Sequence, residues 1–426
     1  MKLYYAPFVF VMGCTSSDPG AASDAGADGD NNDARLVNEA GGPSFTHVAE
    51  VAAGRGTTCA LTISGAVFCW GKNTLGQVGT DSKGEAVPTP AAVAGLPAIR
   101  HIAANGFGDH VCAVDTAGFG WCWGANDHGQ LGSNAPADSA AHGAPHKITD
   151  GAADFSGIDE IFVGPASSCL TKTDGSVYCW GGDAGCQIGD EACDGGAPIV
   201  PHPVRVASGL TATSVSIGTM ATCAAGKTLG TSTASAYCWG KNAKDDLGAP
   251  LGPGLYPAPQ TVAYAGSAPV GFAAGFTHTC LVDDAKNVYC WGQNQGNAAG
   301  LDDGGFATLP FQVTGYGGEA TAIAAGFLTT CAIVKDGALK CMGSNTSGEL
   351  GSGDAITSSA VPLSVKDLVG ATFVAVGEEH ACAVARSSAE ATTSLYCWGG
   401  NTNGELGDGT KTLRRTPVHV TRMPRQ

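Results

Sequence analysis

Charge is scarce in this chain. Of its 426 residues 14% are charged, and 22 Lys and Arg stand against 38 Asp and Glu, a formal net charge of −16. No Lys/Arg run is present. Bulk electrostatics therefore oppose binding to nucleic acid or to an anionic membrane surface. So few Lys and Glu also disfavour long surface helices. No Cys-x-x-Cys pair occurs, which removes the usual zinc and redox motifs. No nucleophile elbow or Ser-His-Asp order stands out. The adjacent carboxylates Asp245-Asp246, Asp283-Asp284 and Asp302-Asp303 face opposite ways in a strand or are solvated in a turn. No metal, no cofactor and no catalytic residue is expected, and the chain reads as a non-enzyme.

Glycine and cysteine are abundant, at 64 and 17 residues. That many cysteines suggest oxidised pairs in an extracytoplasmic compartment, with one left over. The N-terminus, MKLYYAPFVFVMGC, offers a place for it. Its apolar run is too short to span a bilayer and suits an export signal. The end of the run resembles a bacterial lipobox with Cys14 as the lipidated residue, although Met12 is bulky for its place and Pro7 interrupts the run. Residues 15–44 hold almost no large apolar side chains and read as a flexible tether. Asp24, Asp28 and Asp30 do not form a calcium loop, because Gly26 and Arg35 stand where ligands are needed.

From residue 45 to 426 one pattern repeats seven times. CALTISGAVFCWGKNTLGQVG from Cys59 returns as CAVDTAGFGWCWGANDHGQLG from Cys112 and CLTKTDGSVYCWGGDAGCQIG from Cys169. Leading cysteines fall at 59, 112, 169, 223, 280, 331 and 382, a period of 51 to 57 residues. An apolar strand ending in Gly precedes each one, and Pro-x-x-Val/Ile follows, as in Pro90-Val93 and Pro417-Val420. Each unit thus supplies about four short strands.

In five units nine residues separate the two cysteines, with Gly65, Gly118, Gly175 and Gly337 at the third position of the tip and Lys286 as the exception. A three-residue hairpin loop wants a left-handed residue there. The cysteines then face each other on neighbouring strands, close enough for a disulfide. The expected pairs are Cys59–Cys69, Cys112–Cys122, Cys169–Cys179, Cys223–Cys238, Cys280–Cys290, Cys331–Cys341 and Cys382–Cys397, with Cys186–Cys193 as a local eighth. The next residue is Trp70, Trp123, Trp180, Trp239, Trp291 or Trp398, replaced by Met342 in the sixth unit. It points to the other face of its strand, towards a neighbouring unit.

Seven four-stranded units of this length predict an all-β, seven-bladed propeller. β-helix rungs and WD-type units are shorter, and the Gly-Gly signature of kelch units does not recur. If blades straddle units, the first and last strands share a blade; the sequence leaves this open. HTCLVDDAKNVYCWGQNQG from His278, CWGKNTLGQVG from Cys69 and CWGGNTNGELGDGT from Cys397 resemble the regulator-of-chromosome-condensation repeat family, in a cysteine-rich bacterial extracytoplasmic branch. The resemblance implies the propeller over roughly 375 residues. The chromatin-docking exchange activity behind the family's name is not carried over to an acidic chain without a basic tail. Exported relatives such as propeller-type β-lactamase inhibitors suggest loops presented to a protein.

His110, His278 and His380 share one repeat position in three units, too far apart for one ion, and are expected to be bonded locally. After each strand-ending Gly the residue varies: Arg55, Phe107, Pro165, Thr219, Phe276, Phe327 and Glu378. Arg55, Phe107, Phe276, Phe327 and Glu378 form a candidate binding ring, or the rings pack under adjacent loops. Inserts at 133–144, 190–202, 243–258 and 296–308 vary, and variable loops on a rigid frame carry specificity. The expectation is a monomeric, lipid-anchored scaffold on a bacterial cell envelope, binding an envelope or extracellular protein. The alternative is an extracytoplasmic enzyme, acting on carbohydrate at a central channel, which carboxylates or His at the channel mouth would favour.

Overall fold

The computed structural model describes residues 47–80, 84–193, 195–196, 199–243, 246–302, 305–388 and 393–420. The export signal assigned to 1–14, with Cys14, and the tether at 15–44 lie outside the described residues. Seven four-stranded antiparallel sheets follow one another, each using four consecutive strands. The first runs through Val48–Ala53, Thr57–Thr62, Val67–Gly71 and Val87–Ala92. The innermost strands of the others are Ile99–Ala104, Ile158–Val163, Thr211–Ile217, Pro269–Ala274, Ala322–Ala325 and Leu368–Val376. All seven line one central channel. The molecule is a seven-bladed propeller with one sequence unit per blade.

The hairpins form as their tip residues dictate. Gly65, Gly118, Gly175 and Gly337 all have positive φ, and Lys286 adopts φ 65° where glycine is missing. Cysteines face each other in every blade, from Cys59 opposite Cys69 to Cys382 opposite Cys397. The structure bridges Cys59–Cys69, Cys112–Cys122, Cys169–Cys179, Cys186–Cys193, Cys223–Cys238, Cys280–Cys290, Cys331–Cys341 and Cys382–Cys397.

The core is divided into seven seams, one between each pair of neighbouring blades. Each Trp that follows a second cysteine is fully buried and reaches back into the preceding blade. Its indole N–H donates to a backbone carbonyl in that blade's Gly-ended loop: Trp123 to Gln77, Trp180 to Gln130, Trp239 to Gln187, Trp291 to Asp246 and Trp398 to Glu349, at 2.8–3.0 Å. The last Gly of that loop explains itself here. A Cβ on Gly132 would lie 2.5 Å from the Trp180 indole nitrogen. The Met342 side chain has no donor, and the Ala298 carbonyl that a Trp would reach keeps the bond from the Thr330 hydroxyl, at 3.0 Å.

Ring closure uses the same device. The final strand, Arg414–His419, is the outer strand of the seventh blade and does not join the first. Trp70 donates to the Glu405 carbonyl at 2.7 Å and Thr58 to the same oxygen at 2.8 Å. Val48, Val51 and Ala60 pack there against Val384, Leu395, Leu406 and Val420. Replacing a buried Trp by Ala costs about 3–5 kcal/mol. Trp70→Ala and Trp180→Ala should therefore lower stability by similar amounts in chemical denaturation. A much larger loss for Trp70→Ala would mean that the closing seam carries the ring.

Candidate functional site

The innermost strand of each blade ends at one face of the ring, here called the upper face, in a short loop to the second strand. Six of these loops have three residues between strands, as in 54–56 and 275–277; the second blade has five, Asn105 to Asp109. The two extra residues carry Phe107 across the axis. Its ring lies 5.5 Å from that of Phe276 and 5.9 Å from that of Phe327, which are 4.6 Å from each other. Gly106 is glycine for a steric reason: a Cβ would meet the backbones of Gly326 and Gly377 at 3.1 Å. The loop is fixed by Asn105, whose side chain donates to the Ile217 carbonyl and accepts from the Phe107 N–H. Backbone bonds from Arg55 to Gly108, Phe276 to Phe327 and Phe327 to Gly377 lace the tips together.

All three Phe are half-buried. They pack on each other, so neither a fully exposed ring nor full cover by loops describes them. Arg55 and Glu378 approach to 3.4 Å at the rim, and Arg55 lies 3.8 Å from Asp109. Asp109 also accepts from Lys72 at 2.8 Å and from Gln77 at 3.1 Å. Sequence reasoning missed Asp109 and Lys72, although the longer second loop was a readable signal. Pro165 and Thr219 occupy equivalent tips outside the Phe cluster, with Thr219 donating to the Phe276 carbonyl.

The three repeat histidines bond across seams, not within their own blade. His110 meets Ser168, His278 meets Thr330 and His380 meets Thr58, at 2.7–2.8 Å. Each hydroxyl gives its own proton to a carbonyl, so each histidine must donate from Nε2. Nδ1 of His110 and of His278 is buried without a partner. Burial disfavours the imidazolium, lowering His110 to about 3 and His278 and His380 to about 4.

A second polar group was not anticipated. Glu50, His101 and Glu160 hold one register position in three consecutive innermost strands, and His101 and Glu160 line the channel. Their shared place four residues before Gly54, Asn105 and Gly164, where each apolar strand ends, was the signal. His101 Nδ1 is 3.0 Å from Glu50 Oε2, and Nε2 is 3.1 Å from the Ile161 carbonyl. Burial opposes protonation, yet Glu50, Glu160 and the Ile161 carbonyl together outweigh it and raise His101 to about 9. Both nitrogens are engaged, so this histidine has no free lone pair for base catalysis. Among the described residues no group of three or more His, Cys, Asp or Glu could hold a metal ion, and no helix is long and apolar enough to cross a membrane.

Fold and site together define a class, the closed propeller of seven self-similar blades with Trp-sealed seams and a loop-laced upper face. The regulator of chromosome condensation (RCC1) repeat matches residues 48–77, 270–297 and 320–349, and a second description of the same repeat matches 64–114. The chain is 27% identical over 376 residues to the ultraviolet-B receptor UVR8 of Arabidopsis thaliana, covering 86% of this chain and 80% of the receptor. It is 25% identical to human E3 ubiquitin-protein ligase HERC2, over 88% of this chain but 6% of the ligase. Prp20p of Saccharomyces cerevisiae superposes with a TM-score of 0.70 at 20% identity, over 85% of this chain and 87% of that one.

These findings support an RCC1-repeat propeller and correct the narrower expectation of a bacterial extracytoplasmic branch. The relatives are eukaryotic, and a further one, RUG3 of Arabidopsis thaliana, is mitochondrial by name. The same relatives overturn the lipid-anchored scaffold on a cell envelope, the envelope or extracellular partner and the extracytoplasmic enzyme: Prp20p is described by its binding to Gsp1p and histones. The misreading has a physical source. Cysteine count reads as a sign of compartment, whereas the cysteines, fully buried on facing hairpin strands, recur because the unit recurs. The non-enzymatic reading agrees with the receptor UVR8, which the chain matches over 80% of the receptor's length.

The histidines give a test of the seams. Their folded pKa values lie below the unfolded value, so the unfolded chain binds protons first as pH falls below about 6.5. The contribution of these three histidines should be level above that pH and be lost as pH falls through 4, as read by thermal midpoints. His278→Gln should flatten part of this slope; an unchanged slope would show that other groups govern acid unfolding.

Proposed function

We propose that the chain is a non-catalytic docking propeller that binds a protein partner on its upper face. Phe107, Phe276 and Phe327 supply the apolar anchor, and Arg55 and Glu378 supply a charged rim. The observation that carries this reading is the meeting of three half-buried rings from the second, fifth and sixth blades at the axis. Aromatic anchors surrounded by polar groups dominate binding energy at protein interfaces. Rim charges set orientation and exclude wrong partners more than they add affinity. The variable inserts lie between third and fourth strands, in loops that meet the same face through bonds such as Lys72 N–H to the Gly56 carbonyl. A rigid frame carrying variable loops suits recognition.

Gsp1p and histones, given for Prp20p, are the first probes, and a net charge of −16 suits a basic histone. Binding would be measured by interferometry at fixed salt, alongside capture from extract. A Phe107→Ala, Phe276→Ala, Phe327→Ala variant should lose roughly 30-fold or more in affinity. Lys335→Glu, at a hairpin tip on the opposite face, should not. Equal binding by the triple variant and the intact protein would refute the docking face.

A further inference from the structure

The central channel carries charge at one level and on one side only. Glu50, His101 and Glu160 hold a register position that the fourth to seventh blades fill with Ser214, Gly271, Ala322 and Phe373. The channel holds about 300 Å³, and among the described residues His101 and Glu160 are the only ionisable ones on its wall. His101 spends both N–H groups on Glu50 and the Ile161 carbonyl. Glu50 Oε2 accepts a further bond from the Ile102 N–H. Glu160 has no hydrogen bond or ion pair within the described residues, so its carboxylate is left to whatever enters the channel.

The balance of charge follows. One imidazolium and two carboxylates leave one negative charge beside a cavity otherwise walled by Ala, Ile, Val, Phe, Gly, Ser, Thr and Asn. Each innermost strand pairs on one side only, so its other edge offers backbone N–H and C=O groups to the lumen. The upper mouth is covered by the Phe107, Phe276 and Phe327 rings, and the charged tier sits four residues before those loops, towards the opposite mouth. An anionic ligand finds no free donor of positive charge here, and a neutral one leaves the carboxylate unpaired.

We propose that this channel binds a small protonated amine, with the ammonium on Glu160 and the hydrocarbon part against the alanine and isoleucine wall beneath the phenylalanine lid. Ammonium matches the site in charge and in hydrogen-bonding, since three donors can serve Glu160, the Ser214 hydroxyl and an edge carbonyl. This site is independent of the docking face.

Proton linkage gives the site a signature. Burial raises Glu160 to about 7, with Asp159 and Glu50 pushing the same way and His101 and Arg100 opposing. Amine binding needs the ionised carboxylate, so affinity rises as pH passes through about 7. The carboxylate disfavours the folded state above that pH, because its folded value exceeds the unfolded one. Glu160→Gln should therefore melt at or above the parent temperature at pH 8, which separates loss of binding from loss of fold.

The experiment is titration calorimetry of the full chain with n-butylammonium chloride, using n-butanol as the uncharged probe. The expected result is saturable one-to-one binding at pH 8, about tenfold or more weaker at pH 5.5. It should be absent with butanol and with folded Glu160→Gln, and kept in Glu319→Gln, an exposed acid elsewhere. Absence of saturable binding at pH 8, equal binding by Glu160→Gln, or equal binding of butanol would each overturn the proposal.

Discussion

An indole N–H donating to a backbone carbonyl of the preceding blade is the contact on which this architecture turns. A four-stranded sheet has two faces to bury and cannot do so alone. The Trp after the second cysteine covers the neighbour's sheet with a large apolar surface, while its one polar group shares a carbonyl with a hydroxyl of its own blade, Ser168 at Gln130 and Thr222 at Gln187. The requirement reaches back into sequence. Gly must end the accepting loop, because Gly132, Gly189, Gly248 and Gly351 each abut the incoming indole. Trp and Gly are thus one motif split across two consecutive units.

Bridges and seams divide the labour. The hairpin disulfides link strands inside a blade, and none crosses a seam. Closing short loops, each contributes at the low end of the usual ~2–4 kcal/mol. Between blades cohesion comes from burial, indole bonds and the His–hydroxyl–carbonyl relays of the second, fifth and seventh blades. The sixth blade departs, with Met342 supported by Tyr316, whose hydroxyl donates to the Thr330 carbonyl. Because first and last strands lie in different blades, the closing seam is chemically like the others.

The frame was legible because it is repeated: hairpin length, tip glycines and the Cys-Trp-Gly run each recur in register, so local errors average out. The site was legible only in part. A ring of positions could be read from the loop after each strand, but the convergence of Phe107 on Phe276 and Phe327 depends on a two-residue extension whose path no local pattern specifies. Glu50, His101 and Glu160 lie more than fifty residues apart in sequence; only the ring brings them together. The mistaken compartment came from treating cysteine count as chemistry of the surroundings when it belongs to the repeat.

Seven near-equal blades present seven near-equal rotational settings to anything that lands on the ring. The loop that throws Phe107 over the axis removes that degeneracy, since it alone of the seven has five residues and its ring reaches the fifth and sixth blades. It acts as the hand of a dial, giving an almost symmetric disc a single orientation that a partner can read.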